Sequence, residues 1–183
     1  MNRKIFALFS LSIVSLLILT SGVLALDTGF LSPTANTNSG WSNPQDVYAS
    51  DNIRAVADAD LDIANYYNFG FNIPSGAIIN GIEIKVEGYN EGGSSPRQAN
   101  VSISWDGGST YTSGTGIKTT NVPTDSNYPY TDGIIYLGGS NDKWNKSSWL
   151  LSEFSNSTFR LKLDANTGSN NQDLLVDQIQ VKV

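Results

Sequence analysis

The stretch N68-FGFNIPSGAIINGIEIKVE-G88 decides how this chain is read. Its second half, Gly81 to Glu87, alternates strictly. Ile82, Ile84 and Val86 fall on one face, and Glu83, Lys85 and Glu87 on the other. A period of two belongs to a strand with one buried and one solvated face. Upstream, NYYNFGFNI alternates in the same way, with Tyr67, Phe69, Phe71 and Ile73 opposite Tyr66, Asn68, Gly70 and Asn72. Pro74-Ser75-Gly76 between the halves reads as a turn, because Pro presets φ for its second position. The stretch is scaffold, two strands around a turn.

The same signature recurs outward from it. VSISW, 101–105, turns Val101, Ile103 and Trp105 inward, and Asp106-Gly107-Gly108 is a hairpin signal, with a return strand near Thr110 to Lys118. The apolar IIYL, 134–137, reads as a strand covered on both faces. SSWLLSEF, 147–154, reads as one helical turn capped by Ser147 or Ser148. FRLKL buries Phe159, Leu161 and Leu163, and the closing strand buries Ile179, Val181 and Val183. Residues 53–63 hold one strand or two. A first edge strand falls near Gly29 to Leu31. The expectation is an all-β fold of about eight strands, two sheets face to face in a jelly-roll or other Greek-key sandwich.

Residues 1–25 read as a signal peptide. Arg3 and Lys4 precede an uncharged run, and Val23 and Ala25 are small residues suited to cleavage between Ala25 and Leu26. The rival is an uncleaved anchor, since Ile5 to Leu26 is 22 uncharged residues and about 20 span a bilayer. Either way the remainder, 26–183, is one exported domain, secreted or at the cell surface, with 26–50 as an irregular lead-in. The membrane is a partner only if the segment stays. Losing Arg3 and Lys4 takes the net charge from −6 to −8, a poor match for nucleic acid. With no Cys the core holds without staples, and with no His or Cys the Ser-His-Asp, Cys-His and Cys/His-zinc chemistries are closed.

WSNPQDVYASDN, NFGFNIPSGAIINGIEIKVEG, YLGGSNDKWNKSSW, FRLKL and VDQIQVKV, taken in order, resemble a β-sandwich module of exported bacterial and archaeal proteins and phage structural proteins. Its lines read W-x-NP…ASD, NFGF-x-IP-x-GA-x-I-x-GI, LGGS-x-D-x-W…W and VD-x-I-x-V. The match runs from about Leu31 to Val183. Here Asn145 stands where the module has Gly and Lys143 where it has Leu, and a closing Tyr-Tyr is missing. The resemblance implies a sandwich in an exported or virion-surface setting and carries over no catalytic residue.

Several side chains are candidates for chemistry. Asp58, Asp60 and Asp62 would share a strand face at about 7 Å per step and could supply three oxygens to Ca²⁺, with Asp51, Asn52 and Asn65 beside them. The alternative is a solvated face. An EF-hand is excluded, since Ile63 and Phe69 replace the required Gly and Glu. Tyr66, Tyr111, Tyr128 and Tyr130 are the freer aromatics, and Tyr128 and Tyr130 in a polar loop are candidate ligand contacts. Trp41, Trp105, Trp144 and Trp149 read as core. Glu83 and Glu87 lie about 13 Å apart, too far for a hydrolase pair. Asp177 shares the face of Ile179 and must be hydrogen-bonded there. Asn100, Asn145 and Asn156 head glycosylation triplets. The leading expectation is a non-enzymatic structural or adhesion protein acting through protein contacts. It would self-assemble by donating Leu26 to Leu31 as a strand. The alternative is a carbohydrate-binding module with structural calcium.

Overall fold

A computed structural model describes residues 26–91, 97–125, 129–167 and 172–183, the side chains of 166 and 167 excepted. Among these residues nine strands form two antiparallel sheets. They are β1 (Ala35–Ser39), β2 (Ala55–Ala57), β3 (Asp62–Tyr67), β4 (Ile82–Asn90), β5 (Gln98–Ser104), β6 (Lys118–Thr119), β7 (Gly133–Gly139), β8 (Arg160–Thr167) and β9 (Leu174–Lys182). One sheet runs β1-β3-β8-β5-β6 and the other β2-β9-β4-β7. The inner faces meet in one core that includes Ile82, Ile84, Val86, Val101, Ile103, Leu161, Leu163, Ile179 and Val181. These are the alternating apolar positions read from the sequence, so period two places the core as expected.

Backbone geometry overrides periodicity in four places. First, NYYNFGFNI is not one strand. β3 ends at Tyr67 with Tyr66 buried inward and Tyr67 outward. Asn68 and Gly70 then take φ of 60° and 69°, which turns the chain and sends Phe69 into the core. Phe69 and Phe71 join Phe154 and Phe159 in a ring cluster with centroids 5.1–5.6 Å apart. Second, IIYL is covered on one face only. β7 is an edge strand, and Ile134 and Tyr136 stand 50% and 56% exposed on its outer side. Third, the helical turn is a 3-10 turn over Leu151–Phe154. It is capped by Leu150, whose N–H donates to the Glu153 carboxylate at 2.7 Å, and not by a serine. Fourth, the return strand after Asp106 shrinks to the two residues of β6, preceded by a 3-10 turn at Gly114–Gly116.

The lead-in has more order than its composition suggests. It contains β1 and a 3-10 turn at Pro44–Val47, and it covers the outer edge of β9 in pieces. Leu31 pairs with Val181 and Tyr48 with Gln178, and β2, just past the lead-in, takes Leu174–Val176. Prolines 33 and 44 lack the N–H a continuous ladder needs, so a single long strand cannot form there. On the other side of β9, the ladder with β4 slips once. Gln178 faces Glu87, but Val176 faces Gly88. Asp177 is the extra residue, a β-bulge that lets Val176 and Ile179 both point inward. Gly88 is required there, because a Cβ would stand 2.2 Å from the Leu175 carbonyl oxygen.

Candidate functional site

The outer face of the β2-β9-β4-β7 sheet carries the side chains with the richest chemistry. Alternation along β4 turns Glu83, Lys85, Glu87 and Tyr89 outward. β9 adds Gln178, Gln180 and Lys182, and β7 adds Ile134 and Tyr136. Register sets them in rows across the strands, with Gln178, Glu87 and Ile134 in one, and Gln180, Lys85 and Tyr136 in the next. The lead-in adds Phe30, Ser32 and Ser50, and the segments before β2 and β7 add Arg54, Tyr130 and Asp132.

Two aromatic groups bracket these rows. At one end Phe30 and Tyr136 lie 5.9 Å apart, tilted by 47°, with the Lys182 ammonium 4.6 Å from the Phe30 ring. At the other end Tyr130 stacks on the buried Tyr89 at 4.8 Å, and the Arg54 guanidinium sits 5.1 Å over the Tyr89 ring. Burial pushes the Tyr89 phenol up to about 12, and Arg54 opposes that shift. The sheet is a rigid support, so both ring groups are positioned by backbone rather than by loops alone.

Between the rings the polar groups hold one another. Lys85 Nζ donates to Gln178 Oε1 at 3.1 Å and pairs with Glu87 Oε2 at 3.4 Å. Ser50 Oγ donates to Glu87 Oε1 at 3.2 Å, and Gln180 Nε2 to Ser32 Oγ at 3.4 Å. Lys182 pairs with Glu83 at 2.6 Å, which raises the lysine's pKa. Arg54 makes a forked pair with Asp132, at 2.6 Å from Nη2 and 2.9 Å from Nε. That hydrogen bonding raises the arginine's pKa further. Asp177, the bulge residue of β9, accepts the Asp51 N–H at 3.3 Å. Burial chiefly raises its pKa, and Asp132 and Glu87 add to the shift.

The other residues singled out in the sequence do not converge. Asp58, Asp60 and Asp62 share no strand face, because 58–61 is the turn between β2 and β3. Leu61 there has φ of 71°. Asp62 is buried and accepts the N–H groups of Asp58 and Ala59 at 3.1 and 2.9 Å. Asp60 pairs with the fully buried Arg97 at 2.9 Å, and Asp58 faces solvent. Asp51 and Asn52 lie by Arg54, while Asn65 accepts the Tyr111 hydroxyl at 2.7 Å on the opposite sheet. Among the described residues no three acidic groups cluster as cation ligands. Tyr66 is fully buried and Trp105 half-buried; the other three tryptophans are core. Tyr130 is 36% exposed, whereas Tyr128 and Ala25 lie outside the described residues. Asn145 and Asn156 are exposed, but each amide is engaged, with Ser113 and Gly70; Asn100 is half-buried in β5.

A groove of about 710 Å³ adjoins the Phe30 end of the outer face, where Glu83 and Lys182 line it. It is an apolar groove between Leu26–Thr28 and the loop before β4, lined by Ile73, Pro74, Ile78 and Ile79. Its rim includes Leu26, the first described residue. Sequence reasoning missed Phe30 and Tyr136. Phe30 sits in a segment without period, and Tyr136 was hidden in an all-apolar run.

No family model matches the chain, and no curated protein does. Among solved structures, it is similar to the CBM32 module of AlyQ in complex with 4,5-unsaturated mannuronic acid. The TM-score is 0.48 at 14% identity, covering 83% of this chain and 96% of that one. It is also similar to a truncated AlyQ with CBM32 and alginate lyase domains, with TM-score 0.47 at 14% identity over 86% of this chain and 34% of the other.

Proposed function

We propose that this chain is an exported, non-catalytic module that binds glycan across the outer face of the β2-β9-β4-β7 sheet. One observation carries the reading: Tyr136, 56% exposed, stands beside Phe30 on a sheet face whose neighbouring rows are amide, carboxylate and ammonium groups. A sugar ring has one C–H-rich face and a girdle of hydroxyls. An aromatic face, negative at its centre, attracts the C–H side. Planar amides and carboxylates accept and donate to the girdle. A rigid sheet limits the ordering cost of binding.

The test is retention of residues 26–183 on soluble polysaccharides by affinity electrophoresis. Tyr136→Ala is expected to weaken binding about tenfold or more, about 1.4 kcal/mol. Stability should change by no more than about 0.5 kcal/mol, since the side chain is exposed. Retention unchanged in Tyr136→Ala would place the site elsewhere.

A second reading, docking of a protein strand, is favoured by the outer edge of β7, which is the last strand of its sheet. The chain's own segment from Leu26 to Leu31 is a poor donor for it. Leu31 exchanges two hydrogen bonds of 2.9 Å with Val181, and Thr28 bonds Val183, so that segment is already used within the same molecule.

A further inference from the structure

On the glycan reading, we infer that the ligand is a neutral polysaccharide rather than a polyuronate or a sulfated chain. The charges of the face are closed in pairs. Among the described residues it carries three cations, and each has a carboxylate within contact: Arg54 with Asp132, Lys85 with Glu87, and Lys182 with Glu83. Asp177 adds an acidic group with no added cation, so acidic groups outnumber basic ones there. An anionic sugar would need one of these cations for itself. The Arg54–Asp132 pair is the most protected, with side chains 16% and 6% exposed. Taking Arg54 from Asp132 would leave a nearly buried carboxylate unpaired, which is far costlier than breaking an exposed pair. Lys85 is tied to Gln178 as well as Glu87, and Lys182 lies against Phe30. The chain's net charge of −6 adds a long-range repulsion against any polyanion. What remains open to a ligand is aromatic surface and the outward edges of amides and carboxylates. Those groups suit hydroxyls.

A neutral ligand releases no counterions, so its binding should be nearly indifferent to salt, whereas a polyanion held by lysines would weaken steeply. The experiment uses residues 26–183 against neutral β-glucan, xylan, mannan and galactan, and against polyuronates and sulfated galactans. Titrations are run in low and high sodium chloride, with Tyr136→Ala in parallel. The expected result is binding to at least one neutral chain, with Kd changing less than about twofold across the salt range and weakened about tenfold or more in Tyr136→Ala. Binding confined to the anionic chains, weakened by salt about tenfold or more, would overturn this inference and leave the glycan reading standing. Binding to none of the polysaccharides would overturn both.

Discussion

Tyr66 shows what a single residue can cost this fold. Its ring fills the core at full burial, but its hydroxyl has no hydrogen-bond partner there. Burial chiefly drives the phenol's pKa far up, and Tyr48 and Asp46 add to the shift. An unsatisfied buried hydroxyl is a penalty of about 1–3 kcal/mol. Tyr66→Phe keeps the ring and removes the penalty, so it is expected to raise the urea midpoint; a lower midpoint would show that the hydroxyl has a partner. Asp177 is a second residue at odds with its surroundings. Its folded-state pKa lies above the unfolded value, so the fold disfavours its charge. The favourable contribution is full below the unfolded pKa, near 3.8, and is lost as pH rises through the folded pKa. Asp177→Asn keeps an oxygen for the Asp51 N–H and carries no charge. Its Tm should exceed that of the parent at pH 7, and the two should converge towards pH 3. A parent that is more stable at pH 7 would mean that attraction to Arg54 outweighs burial.

At the scale of elements, the lead-in acts as an edge strand cut into pieces. Removing Leu26 to Leu31 would strip the end of β9 of its bonds to Leu31 and Thr28, four in number at 2.9–3.1 Å. The expected loss is about 2 kcal/mol or more. Faster amide exchange at Val181 should accompany it. Exposing that edge should also promote dimers or aggregates, because an unpaired strand is a template. Unchanged exchange at Val181 would show that the segment is not held there in solution. The elements also show where periodicity was informative. β8, most of β9 and β4 as far as Glu87 alternate as read, whereas β5 buries Ser102 and Ser104, which the period places outward, along with Val101 and Ile103. The reading failed where one residue changes the phase. Asn68 turns the chain after β3, and Asp177 inserts a bulge into β9. Neither carries a sequence mark distinguishing it from an ordinary polar position. β7 misled in another way. An apolar run is expected to be covered twice, but topology placed it at an edge.

For the whole molecule, one core joins both sheets, and the tryptophans report on several parts of it. Trp41 donates to the Asp62 carbonyl under the first sheet. Trp144 donates to the Ile82 carbonyl at the second, and Trp149 packs in the ring cluster. Unfolding in urea followed by tryptophan fluorescence and by far-UV circular dichroism should therefore give coincident transitions. Separated midpoints would mean that the sheets unfold independently. With no cysteine, the transition should be the same with and without reductant.

The amino-acid sequence by itself determined the all-β class, most of the core, and the closing of His- and Cys-based chemistry. These follow from composition and from a two-residue period, both local properties of the chain. It also marked Tyr130, but it could not show that Phe30, Tyr89, Tyr130 and Tyr136 would share one sheet face. They come from four separate segments. Only strand order and register brought them together. Those depend on which edges remain free once the lead-in has covered β9. That is settled by long-range hydrogen bonding and by the bulge at Asp177, interactions that no short window of sequence contains.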